Sequence, residues 1–134
     1  MVGRILVIDD ASVVLRAMVR LLRRNGHDVF GVATAADGLE AVTRDRSIAV
    51  VVLDYSLEQM NGVQLAQLIW AIRPGLPLVL MSGWDPSQLE EVAGQPFSGF
   101  LHKPFLAEEV ERVLADILQP SAIQDAAIKD AAIG

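Results

Sequence analysis

The sequence predicts an α/β protein: a doubly wound, five-stranded parallel sheet with helices on both faces. Two observations predict it. Strand-like and helix-like segments alternate five times along the chain. The strand-like runs are also continuously apolar rather than alternating, as strands buried on both faces are.

The elements follow in order. ILVI at 5–8 is a short branched run, read as the first strand. Val14, Met18, Leu21 and Leu22 then recur at helical spacing, and Asn25-Gly26 supply a stop. HDVFGV at 27–32 is the second strand, and Ala36 to Arg44 a short helix with Asp37 near its start. IAVVVLD at 48–54 is an uninterrupted third strand. Leu65, Leu68, Ile69 and Ile72 mark a third helix, ended by Pro74-Gly75. LPLVLMSG at 76–83 is the fourth strand. Asp85-Pro86 has the form of a helix cap followed by proline at the first helical position. A short helix is expected there, with Leu89 and Val92 facing inward. GFLH at 99–102 is the fifth strand. Val110, Val113, Leu114, Ile117 and Leu118 form the apolar stripe of a last helix, and Pro120 ends it. Crossovers between such strands are right-handed.

Bulk properties narrow the function. The chain has 134 residues, enough for one domain with a real core. It is 52% hydrophobic, which argues against global disorder. No apolar run approaches the ~18 residues of a membrane span, and the N-terminus lacks a secretory pattern. A cytoplasmic location without membrane association is expected. With no cysteine, disulfides, thiolate metal sites and cysteine nucleophiles are excluded. The net charge of −6 argues against a nucleic-acid surface. Basic residues partly cluster in the first helix, at Arg16, Arg20, Arg23 and Arg24, and are read as a solvated face.

In open parallel sheets, sites form beyond the carboxyl ends of the strands. The first strand ends in Asp9-Asp10, the third in Asp54 and the fourth in Ser82-Gly83. The fifth leads into Lys103-Pro104. Three carboxylates, a hydroxyl and an amine thus meet at one edge. Carboxylates so close resist ionising unless a cation offsets them. Mg²⁺ suits, because it takes oxygen ligands and keeps several waters. A carboxylate beside a metal and a lysine can be a nucleophile in aspartyl-phosphate chemistry. The lysine would neutralise a transferring phosphoryl group, and the serine hydroxyl would bond one of its oxygens. Each residue alone has an ordinary explanation as a turn, a cap or a surface lysine. The conjunction carries the weight.

ILVIDD, VVLDYSLEQMNG, LVLMSG and GFLHKPF, in this order and spacing, resemble the receiver domain of two-component response regulators, of the chemotaxis-receiver type. The resemblance covers about residues 3 to 119, so a receiver domain at 1–119 and a poorly ordered tail at 120–134 are expected. It implies a flavodoxin-like sheet with strand order 2-1-3-4-5. It implies that Asp54 accepts the phosphoryl group from a histidine kinase or histidine phosphotransfer domain. Asp10 would ligate Mg²⁺ directly, Asp9 largely through water, and the Ser56 backbone carbonyl would complete the protein ligands. Lys103 would pair with the phosphoryl group. Ser82 would be the switch hydroxyl and Phe100 the switch aromatic, and a cis peptide would precede Pro104. The switch would change the face made by the fourth helix, fifth strand and fifth helix, acting on an unidentified protein partner. A homodimer through that face is a further implication. No separate substrate turnover is expected, so the chain is not read as an enzyme.

The chain departs from the family pattern at Leu57-Glu58, where Met-Pro is common. A less rigid loop with an added charge is expected. Ser56 and Trp84 occupy positions that tune loss of the phosphoryl group in this family. Trp84 is expected to shield the acyl phosphate from water, the competing reading being that it packs on the fourth helix. His27 and His102 are read as packing or surface residues. IQDAAIKDAAIG at 123–134 is a near-repeat of five residues, a period that does not stack its isoleucines on one helix face. No effector domain fits after the receiver, so a stand-alone receiver or a piece of a longer chain is expected. The GFLHKPF and DYSLEQMNG stretches look like receivers of hybrid histidine kinases. Two other functions compete. One is a scaffold that has lost phosphorylation. The other is a Mg²⁺-dependent aspartyl-phosphate phosphatase, which needs an acid two residues after the nucleophile, where this chain has Ser56.

Overall fold

A computed structural model describes residues 3–118. The expected 120–134 tail lies outside them. The elements run β1 (Arg4–Ile8), α1 (Ser12–Arg24), β2 (Val29–Val32), α2 (Ala35–Arg44), β3 (Ile48–Asp54), α3 (Gly62–Ile72), β4 (Leu78–Ser82), two 3-10 turns (Pro86–Gln88 and Glu90–Val92), β5 (Gly99–His102) and α4 (Ala107–Leu118). The strands form one sheet in the order β2-β1-β3-β4-β5, and all four pairings are parallel. The order predicted from the resemblance is the order found.

β1, β3 and β4 lie inside the sheet, and their hydrophobic side chains are buried almost completely. Each strand feeds two cores, because alternate side chains point to opposite faces. On one face Leu6, Ile8, Val51, Leu53, Leu78 and Leu80 pack with Val42 of α2 and Leu65 and Ile69 of α3. On the other, Ile5, Val7, Val50, Val52, Val79 and Met81 pack with Met18 and Leu22 of α1 and Val110 and Leu114 of α4. A continuous apolar run is therefore two half-stripes, one per layer.

Local chemistry sets the helix starts. The Thr34 side chain accepts a hydrogen bond from Asp37 N and caps α2. Asn61 and Gln64 form a reciprocal capping box at α3. α3 forms where its apolar spacing predicted a helix; of the residues that mark it, Leu65 and Ile69 are buried, while Leu68 and Ile72 are exposed.

The expected helix after β4 is the main difference. Asp85 does cap Pro86–Gln88, with a capping box to Gln88. The chain then resets at Leu89, where φ is −111° and ψ is 100°, and starts a second 3-10 turn. Only the inward side expected from sequence survives: Val92 is buried and Leu89 packs partly against the core. With Gly94 at φ 79° and Pro96 just beyond, the segment lacks the length to propagate an α-helix.

Candidate functional site

Parallel pairing brings the carboxyl ends of β1, β3, β4 and β5 to one edge. Asp9 follows β1 and is fully buried. Its Oδ1 accepts a hydrogen bond from Ala11 N, which fixes the carboxylate at the start of α1. Asp10, next to it, is exposed. Asp54 is the last residue of β3 and is 5% exposed. One oxygen from each of Asp9, Asp10 and Asp54 lies within 4.8 Å of the others.

Lys103 reaches into this cluster from the end of β5. Its Nζ lies 2.9 Å from Asp9 Oδ2 and 2.9 Å from Asp54 Oδ1. The Lys103–Pro104 peptide is cis, as expected from the resemblance. Burial works against the lysine charge, but hydrogen bonds and charge attraction from Asp54 and Asp9 more than offset it and hold its pKa above the ordinary value. Asp54 shifts the other way for an acid. Burial pushes its pKa up, the Lys103 hydrogen bond pulls it back, and the charges of Asp9 and Asp10 push it up again. Three carboxylates thus outnumber one ammonium, and the central acid is held in a state that resists charge. The donor set is all oxygen, with one exposed member open to water. It fits a hard divalent cation.

Ser82 ends β4, pairs in register with His102 and is 5% exposed. Its Oγ accepts a hydrogen bond from Trp84 N at 2.9 Å. Phe100 sits on β5 opposite Leu80, and its ring is 39% exposed. It lies on Phe97 with ring centroids 5.7 Å apart, and Phe97 lies in turn on Trp70 at 5.2 Å. Between β4, the first 3-10 turn and β5 is a cavity of about 310 Å³. Ser82, Trp84, Leu89, Phe100 and His102 are among its walls. Trp84 is 57% exposed, at the rim of this cavity. Ser56 is exposed in the loop after β3, where it bridges to Asn61. In the same loop Leu57 packs partly against the core and Glu58 is exposed.

The loop is braced at its base. Tyr55 N donates to the Met81 carbonyl, and Gly62 N donates to the Tyr55 carbonyl. A Cβ on Gly62 would lie 2.6 Å from the Asp54 carbonyl oxygen, so only glycine allows α3 to start this close to the acid. Several contacts had no signal in the sequence. The Tyr55 hydroxyl bonds the Glu91 carboxylate, joining the residue after Asp54 to the second 3-10 turn. His27 Nε2 pairs with Glu111 at 3.1 Å, across 84 residues. His102 is exposed.

A doubly wound parallel sheet with an acidic cluster and a lysine at its carboxyl edge defines the class. Residues 5–115 match the family model described as the response regulator receiver domain, so the chain belongs to the response regulator receiver family. It is a phosphoacceptor signalling module, and members of the family receive phosphoryl groups from histidine kinases. Among curated relatives, the transcriptional regulatory protein PrrA of Mycobacterium tuberculosis is 40% identical over 118 residues, covering 84% of this chain and 48% of PrrA. The response regulator MprA of Mycobacterium leprae is 32% identical over 126 residues, covering 92% of this chain and 54% of MprA. The chain thus spans about half the length of these relatives. A solved receiver domain protein from Clostridium thermocellum shares the fold with a TM-score of 0.83 and 24% identity, covering 91% of this chain and 98% of that one. No helix among the described residues is long and apolar enough to cross a membrane.

Proposed function

We propose that Asp54 is the phosphoacceptor and that Asp9, Asp10, Asp54 and the Ser56 backbone carbonyl hold Mg²⁺. The observation that carries this reading is Lys103 Nζ at 2.9 Å from both Asp9 and Asp54, beside a third carboxylate. An Asp54 carboxylate oxygen attacks the phosphorus of a phosphohistidine. The O–P bond forms as the N–P bond breaks, and the imidazole leaves with the electron pair. When bound, Mg²⁺ offsets charge between the acids and the incoming phosphoryl oxygens. Lys103 gives up its contact with Asp54 and follows the new negative charge. Ser82 Oγ turns from the Trp84 amide to donate to a phosphoryl oxygen, and Phe100 turns inward. The cavity of about 310 Å³ between them supports this, because it offers the ring a destination. The changed surface comprises the 83–98 segment, β5 and α4. A histidine kinase or phosphotransfer domain is the donor, a protein in the cytoplasm the receiver of the signal, and no separate substrate is turned over.

The test is phosphorylation by acetyl phosphate, followed by intact mass. A gain of one phosphoryl group that requires Mg²⁺ and vanishes in Asp54→Asn is expected. If the mutant gains the same mass, Asp54 is not the acceptor. If neither acetyl phosphate nor beryllofluoride changes the wild-type chain in Mg²⁺, the scaffold reading replaces this one. Trp84 is 57% exposed two residues past Ser82, a position from which its ring can cover the acyl phosphate. Trp84→Ala is expected to hydrolyse its phosphoryl group about two- to fivefold faster, a loss of roughly 0.4–1 kcal/mol in barrier. An unchanged rate removes the shielding role.

A further inference from the structure

The four arginines of α1 are exposed, as a solvated face would be, and they also border a groove. α1 turns one flank toward β2, the edge strand of the sheet. Between them lies an open groove of about 610 Å³. Leu15, Val19 and Gly31 form its apolar floor, and Arg16, Arg20, Arg23 and Arg24 its rim. A Cβ on Gly31 would stand 2.6 Å from Leu15 Cδ1, so a side chain there would push into the floor.

Among the described residues the rim charges have no ion-pair partner; the ion pairs there use Arg4, His27, Arg44 and Lys103. Arg23 makes one long hydrogen bond, Nη2 to the Val29 carbonyl at 3.4 Å. Arg23 and Arg24 lie in the last turn of α1, where the helix dipole favours cations. Arg16 and Arg20 do not. Arg16, Arg20 and Arg24 follow at i, i+4 intervals, the spacing at which like charges destabilise a helix. A ligand of opposite charge would turn that repulsion into attraction.

We propose that this groove is a docking site for an acidic amphipathic helix of a protein partner. Its carboxylates would take the guanidinium forks, which match carboxylates bidentately. Its aliphatic side chains would cover Leu15, Val19 and Gly31, as an apolar face does in a hydrophobic groove. The rest of the chain selects among anions. The net charge of −6 repels any anion at long range, so binding rests on the local guanidinium and apolar contacts of a short helix that fills the groove. None of the lining residues belongs to the acidic cluster, so the groove is a site separate from Asp54.

The experiment uses the full, unphosphorylated chain. The probe is a fluorescein-labelled synthetic helix with glutamates on one face and leucines on the other, and its control carries glutamine for every glutamate. Binding is read by anisotropy and located by backbone amide shifts. The glutamate helix is expected to bind and to shift amides of α1 and β2. The Arg16→Gln/Arg20→Gln double variant, changed only at exposed positions, should bind about tenfold more weakly, as loss of two charge-assisted contacts implies. Raised salt should weaken binding as well. Circular dichroism checks that the variant is folded. Equal binding of the glutamine helix, equal binding by the double variant, or shifts confined to other elements would overturn the proposal. So would no binding, or tighter binding to a DNA oligonucleotide or to phosphatidylserine vesicles than to the glutamate helix.

Discussion

Asp54 is a carboxylate that its neighbours make reluctant to ionise. Burial raises its pKa from an ordinary 3.8, and Asp9 and Asp10 add to the rise that Lys103 only partly opposes. The folded pKa therefore exceeds the unfolded one. A group shifted in that sense favours the fold while protonated, and that contribution is lost as pH rises through the folded pKa. At neutral pH the Asp54 charge opposes folding. Asp54→Asn is expected to raise stability, and with it Tm, at pH 7. The gain should shrink as pH falls through the folded pKa and vanish below the ordinary 3.8, where Asp54 is protonated in both states. Thermal melts from pH 7 to pH 4 check this. A gain that stays constant or grows toward low pH would mean that the acid is not strained. The same crowding is what a bound divalent cation would relieve, so Mg²⁺ should raise Tm more in the wild type than in the variant.

Among the elements, the β3–α3 connection sets the position of the acid most tightly. Its clamp is backbone on backbone: Tyr55 N to Met81 O at 2.8 Å and Gly62 N to Tyr55 O at 2.7 Å. Gly62→Ala would put a methyl group 2.6 Å from the Asp54 carbonyl oxygen and 2.9 Å from Tyr55 Cα. Both are main-chain atoms and cannot rotate away. The variant is expected to lose about 2–3 kcal/mol in urea unfolding, an overpacking cost, and to phosphorylate more slowly. Gly38→Ala serves as the contrast. There the nearest atom is Ile8 Cδ1, at 2.5 Å, the far end of a flexible side chain. A smaller loss is expected, with phosphorylation unchanged.

Across the whole molecule, stability and response are separated. β1, β3 and β4 are buried on both faces, whereas the 83–98 segment is two short 3-10 turns in which only Val92 is buried. Tyr55–Glu91 and the Phe97–Phe100 stack are two of its contacts. Such a segment opens at low free energy, and switching elements are drawn from that end of the range. Beryllofluoride with Mg²⁺ is expected to change amide hydrogen exchange in residues 83–102 and to leave the central strands as they were. Exchange that changes uniformly, or only in β1 and β3, would contradict a local switch.

Much of the site was legible because it obeys sequence-local rules. ILVIDD, IAVVVLD, LVLMSG and GFLHKPF each carry a strand and its terminal group together. Once the strands are parallel, those groups must share an edge. The Asp85 cap is similarly local, since three residues contain the whole interaction. The 83–98 segment was misjudged because Asp85-Pro86 starts a helix but cannot say how far it runs. Pairs such as His27–Glu111 and Tyr55–Glu91 were invisible, because nothing near one partner specifies the other. The arginine rim was visible as charge, but not as the wall of a groove. The sequence by itself determined the alternation, the parallel sheet and the set of groups at its edge, since these follow from hydrophobic period and strand-end chemistry. Only the tertiary structure decided the strain on Asp54, the 2.9 Å placement of Lys103 between two acids and the groove beside β2. Burial and charge separation are properties of distance, and distance between residues far apart in the chain exists only after folding.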